Sequence, residues 1–157
     1  MAPAIRLALA FTAAGAAIAT AASAQRPANP GMKTYTINLT GQAEVDATHP
    51  TGGAGDLTAS GSVTLTVNPG KKQVCYDFNG LTGLATITMA HIHKAPVRQN
   101  GPPVVTLFTG TGGDLDDCVI ATSAQLAQII AKPAGYYVNV HTTQFPDGAI
   151  RGQLARR

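Results

Sequence analysis

Two stretches of polar and apolar alternation flank Asn68-Pro69-Gly70-Lys71, and together they commit this part of the chain to a β-hairpin. From Ala59 to Val67, Val63, Leu65 and Val67 alternate with Ser62, Thr64 and Thr66. From Gln73 to Leu81, Val74, Tyr76 and Phe78 alternate with Cys75 and Asp77. Successive side chains of a strand point to opposite faces, so each stretch gathers its apolar residues on one side. The Asn-Pro-Gly sequence between them is turn chemistry. The same alternation opens Thr34 to Val45, where Tyr35, Ile37 and Leu39 face away from Thr34, Thr36 and Asn38. Further strands are expected at Ala85–His93, Gly135–Thr143 and Ala149–Leu154, the last two joined at Phe145-Pro146-Asp147-Gly148. The apolar run Val104–Phe108 reads as a strand buried on both faces. Ser123–Ala131 is the single helix expected, capped by Ser123, with Leu126, Ile129 and Ile130 on one side and Pro133 as its stop. The segments Asp46–Asp56, Lys94–Pro103 and Thr109–Asp117 read as loops. Seven or so short strands with turns between them predict an all-β fold: an antiparallel Greek-key β-sandwich or barrel carrying one short helix.

The two ends of the chain read differently from its middle. Met1 to Ala24 carries one cation, Arg6, then an uncharged Ala- and Leu-rich run that closes on Ala22-Ser23-Ala24. That is the layout of a secretory signal peptide cleaved after Ala24. Residues 25–33, with Pro27 and Pro30, form a flexible lead-in, and residues 34–155 form the folded domain. No second hydrophobic run follows, so no membrane span is expected in the mature chain. Without Arg6 the chain holds 10 cations against 8 anions, scattered rather than clustered. That balance gives no basis for nucleic-acid binding. In an exported chain the two cysteines, Cys75 and Cys118, read as one disulfide. Asp114, Asp116 and Asp117 lack the spacing and closing Glu of an EF-hand and read as a solvated acidic loop.

The chemistry lies with the histidines. His91 and His93 stand two apart on one expected strand and therefore project together, about 7 Å apart, with Ile92 behind them. His141 lies on a second strand, in Tyr137-Val138-Asn139-Val140-His141-Thr142. If the two strands neighbour one another, three imidazoles converge. Imidazole suits copper and zinc. The expected site is therefore His91, His93 and His141 with an open fourth position. Met89, on the same strand face, and His49, in a loop, are possible additional ligands. Asn139 and Arg151 are the expected supporting residues around it. The alternative is three polar-face or core histidines hydrogen-bonded to Asn139, Thr143 or Arg151.

Several linked motifs resemble the CHRD domain, a module first described in chordin and common in exported bacterial proteins. They are Leu39-Thr40-Gly41-Gln42-Ala43-Glu44-Val45, Ala90-His91-Ile92-His93, Asn100-Gly101-Pro102-Pro103-Val104-Val105, Tyr137-Val138-Asn139-Val140-His141-Thr142 and Pro146-Asp147-Gly148-Ala149-Ile150-Arg151-Gly152-Gln153-Leu154. The resemblance covers roughly Tyr35 to Leu154. It implies an immunoglobulin-like or Cu/Zn superoxide dismutase-like β-sandwich. The chain departs from the family pattern at Lys94-Ala95, where a Gly is usual, and at Ala149, where a Glu is usual. A carboxylate that would orient the Arg or a His is thus missing at Ala149.

Three function classes follow. The first is an exported, periplasmic or extracellular protein that binds one copper or zinc ion. The second is a non-catalytic β-sandwich module for adhesion or for an unidentified protein partner. The third is a small copper redox enzyme, since a His-x-His pair plus a third His resembles the copper half of Cu/Zn superoxide dismutase. A bridging His and an Asp-containing zinc subsite have no counterpart in the sequence. No Ser-His-Asp, paired-carboxylate or phosphate-loop constellation is visible, so no catalytic residue is assigned.

Overall fold

The computed structural model describes residues 31–155. The expected signal peptide and most of the lead-in lie outside the described residues. Eight strands form one antiparallel sheet that curls into a nearly closed barrel: β1 Lys33–Thr40, β2 Ser60–Asn68, β3 Gln73–Thr82, β4 Ile87–Lys94, β5 Pro103–Thr109, β6 Asp116–Ile120, β7 Tyr136–Thr142 and β8 Ile150–Gln153. Their order is β5-β4-β7-β8-β1-β2-β3-β6. The helix α1, Ser123–Ala131, lies between β6 and β7.

Alternation in sequence becomes alternation in burial. In β1, Tyr35, Ile37 and Leu39 are buried and their neighbours exposed, and β2 and β3 repeat the pattern. The inward residues meet α1, which buries Leu126, Ile129 and Ile130. Tyr76, Phe78 and Phe108 form an aromatic cluster with centroids 5.7 to 6.2 Å apart, within the range of favourable ring pairs. Strand β7 differs, because every one of its residues is buried. Its inner face joins the core through Tyr136, Val138 and Val140. Tyr137, Asn139 and His141 occupy its other face and are also covered. A second, polar layer therefore lies outside the barrel at β7.

Four details differ from the sequence reading. Lys33, assigned to the lead-in, already pairs with Val67 in β1. The run Val104–Phe108 is not buried on both faces: in β5, an edge strand, Thr106 is exposed between buried Val105 and Leu107. The acidic loop ends earlier than expected, because Asp116 and Asp117 begin β6 on the ladder with β3. The helix is capped by Thr122 rather than Ser123. Thr122 Oγ1 accepts from the Gln125 backbone N–H, and Gln125 Oε1 accepts from the Thr122 N–H, a reciprocal capping box. Ser123 Oγ instead donates to the Pro69 carbonyl, tying the helix start to the β2–β3 turn.

The disulfide forms as expected. Cys75 and Cys118 face each other across the β3–β6 ladder and close a loop of 43 residues. It clamps the short edge strand β6 from outside the core. A loop of that length corresponds to about 4 kcal/mol on the chain-entropy account. The double replacement Cys75→Ser with Cys118→Ser is accordingly expected to lower stability by about that amount, read as a lower urea midpoint. A wild-type midpoint would show that the ladder alone holds β6.

Candidate metal centre

The site grows out of β4 and β7, which are neighbours in the sheet. On β4, Ile92 is fully buried in the core, and the alternation turns His91 and His93 outward to the polar layer. The antiparallel register sets Met89 opposite His141, His91 opposite Asn139 and His93 opposite Tyr137. Directly paired residues share a face, so His141 lies diagonally across from His91. One ligand nitrogen from each of His91, His93 and His141 lies within 4.8 Å of the other two. His91 Nδ1 and His141 Nε2 are 3.2 Å apart. Nitrogen ligands bonded at about 2.0–2.1 Å to a tetrahedral zinc ion sit about 3.4 Å apart, so this pair already has ligand spacing.

Backbone carbonyls orient two of the three rings. His93 Nδ1 donates to the Gly101 carbonyl at 2.8 Å, and His141 Nδ1 donates to the Pro146 carbonyl at 2.9 Å. Each bond places the proton on Nδ1 and leaves Nε2 unprotonated. That is how metal-ligating histidines are commonly held. The Nε2 of His141 accepts from His91 Nδ1–H. The Nε2 atom of His93 is buried and has no hydrogen-bond partner. Burial lowers the pKa of all three: His91 to about 4, with the other two histidines adding repulsion, and His93 and His141 in the same direction. All three are neutral at pH 7, the form that binds metal. His93 and His141 are buried, while His91 is half-exposed and opens the cluster to solvent.

Behind the cluster stands Arg151, 1% exposed. Its guanidinium carbon sits 3.4 Å from the Tyr137 ring centroid, and the Tyr137 ring stacks on His93 at 4.9 Å. Its nitrogens donate to Asn100 Oδ1, to the Pro96 and Gln99 carbonyls and to Gln153 Oε1. These contacts hold the β4–β5 loop over the outer face of β7. Asn100 is held in turn by donating to the Val45 carbonyl at 2.7 Å. The next residue, Gly101, presents the carbonyl that orients His93. A Cβ at Gly101 would lie 2.0 Å from the Lys94 carbonyl oxygen, so the loop closes this tightly only with glycine there. Arg151 is thus held by Asn100, by Gln153 and by two carbonyls, with the buried Glu44 carboxyl acting on it electrostatically.

The other expected residues fall as follows. Met89 is half-buried beside His141. Asn139 is buried between His91 and Arg151 in the ladders. His49 is not brought to the cluster. It sits in an exposed turn, its Nδ1 within 3.1 Å of Asp46 Oδ1 and 2.9 Å of Thr48 Oγ1. Sequence reasoning passed over Glu44, Tyr137 and the carbonyls of Gly101 and Pro146. Tyr137 was detectable as the residue two before Asn139 on the polar face of β7. Glu44 is 3% exposed, and burial raises its pKa to about 8 against the lowering influence of Arg151.

The family model described as CHRD domain matches residues 35–154. No curated protein matches the chain, and no solved structure matches it.

The titrating groups predict a stability maximum for the metal-free protein. Histidines held below their ordinary pKa bind fewer protons when folded than when unfolded. Their contribution is complete above pH 6.5 and is lost as the pH falls toward the folded value, about 4 for His91. Glu44, held above its ordinary 4.5, acts oppositely, and its contribution is lost as the pH rises through about 8. The melting temperature should therefore fall on both sides of a maximum near pH 6. In Glu44→Gln the decline between pH 6.5 and 8 should disappear. Persistence of that decline in the variant would assign it to another group.

Proposed function

This chain belongs to the CHRD domain family, and from that premise we propose that it is an exported protein holding one copper or zinc ion between His91, His93 and His141. The observation that carries this reading is the pair of carbonyl-anchored imidazoles. The Nδ1 bonds to Gly101 and Pro146 fix the rings of His93 and His141 and leave both Nε2 atoms unprotonated. That of His93 is without a partner, and that of His141 accepts from His91, a bond an ion between the rings would replace. Orienting rings before an ion arrives removes part of the ordering cost of binding it. Three protein ligands leave a fourth position for water or an exchanging ligand. That suits buffering, storage or delivery of the ion. Met89, opposite His141, adds a thioether within the same patch and favours copper(I) over zinc. His49 would have to leave its Asp46 turn to take part, so the site rests on three imidazoles.

Export is part of the same proposal. The leader Met1–Ala24 is removed, and the mature protein works in the periplasm or outside the cell, where the Cys75–Cys118 bridge persists. Among the described residues no helix is long and apolar enough to cross a membrane.

Untagged protein offered copper(I), copper(II) and zinc separately is expected to take up one ion per chain, measured by elemental analysis after gel filtration. His91→Ala and His141→Ala should each weaken uptake by at least about a hundredfold. Absent uptake, or uptake indifferent to both substitutions, rejects the metal reading and leaves a partner-binding module on the same fold.

A further inference from the structure

Three buried side-chain atoms among the described residues have no hydrogen-bond partner: Glu44 Oε1, His93 Nε2 and Asn139 Oδ1. The ion proposed between the histidines accounts for the β4 imidazole, His93. It leaves Glu44 and Asn139 unexplained, and each is only 3% exposed. Leaving a buried polar group orphaned is costly, so two side by side call for a ligand. They do lie side by side. A Cβ built on Gly148 would sit 2.7 Å from Asn139 Nδ2, 2.8 Å from Glu44 Oε1 and 2.9 Å from Asn139 Oδ1. Both residues line one cleft of about 500 Å³, a size that suits a small organic ligand.

The lining identifies the chemistry. Asp46 and Asp147 join Glu44 in the cleft wall, and no Lys or Arg lines it. Arg151 lies behind the wall with Nη1 donating to Asn100 and Nη2 to the Pro96 and Gln99 carbonyls and Gln153. Asn139 Oδ1 is an acceptor awaiting a donor, and the Glu44 carboxyl becomes a second one when it gives up its proton to ionise beside a cation. Val45, Ala54, Phe145 and Pro146 supply apolar wall beside them. We propose that this cleft binds a small organic cation, with an ammonium or guanidinium head set between Glu44 and Asn139 and a short apolar stem against Val45, Phe145 and Pro146. The cation supplies the N–H donors that burial denies this carboxyl and adds its charge to the influence Arg151 already exerts on Glu44. Gly148 keeps the head's place open, because a side chain there would fill the space between the two acceptors.

The test uses the full chain in EDTA, so that its result is separate from the metal reading, and n-butylammonium as the probe. Amide resonances of the cleft, those of Glu44, Asn139 and Gly148 among them, should shift saturably in the millimolar range. Butyrate and n-butanol, which keep the stem and lack the cationic donors, should leave them in place. Glu44→Gln should weaken butylammonium binding by about tenfold or more, the loss of a charged hydrogen bond. Asp147→Asn, at the exposed rim, should weaken it by about threefold at low salt. If Glu44→Gln does not fold, the Asp147→Asn result decides. The proposal is overturned by absent saturation, by an equal response to n-butanol, or by unchanged affinity in the folded variants.

Discussion

The antiparallel ladder between β4 and β7 is the constraint from which the rest of the site follows. Its register places Met89 against His141 and His91 against Asn139. A slip of one residue would turn either strand over and exchange core for polar layer. The core forbids that slip. Ala90 and Ile92 on β4, and Val138 and Val140 on β7, are fully buried on the inner face. The histidines are thus held on the outside by apolar neighbours on the inside.

The polar layer over β7 depends on a second device. Arg151 brings a permanent charge to an almost fully buried position, where removing it from water is expensive. Four hydrogen-bond acceptors and the Tyr137 ring offset that expense. Because three of the acceptors belong to the β4–β5 loop, burying the arginine also closes the loop. Closing the loop in turn delivers the Gly101 carbonyl to His93. The β7–β8 turn does the same for His141 through Pro146. Core, arginine, loop and imidazole therefore form one connected series of contacts.

Histidine cluster and acidic cleft share a wall, since His93 belongs to both. The cluster presents nitrogen lone pairs, and the cleft presents carboxyl and amide oxygens. Each is a set of acceptors with its own buried support. The two proposed ligands are both cations, a transition-metal ion for the imidazoles and an organic head group for Glu44 and Asn139.

Much of this was legible without coordinates. Alternation is a local signal, and it identified the strands, the inward residues and the outward pair His91 and His93. Turn and stop chemistry placed the β2–β3 hairpin, the closing hairpin and the helix. Cys75 and Cys118 could be paired because no other cysteine competes. Strand β6 escaped because it is five residues long and mostly exposed, with little alternation to read. The convergence of His141 on the pair depended on strand order, which local periodicity does not encode. Glu44 could not be placed either. Its neighbours Asn139, Asp147 and Gly148 are about a hundred residues away in the chain. Their meeting is produced by β1 pairing with β8, and β8 with β7. The sequence by itself determined the class of fold and the chemistry available to it. Only the tertiary structure decided which side chains share a space, because long-range pairing, and not pattern along the chain, sets those distances.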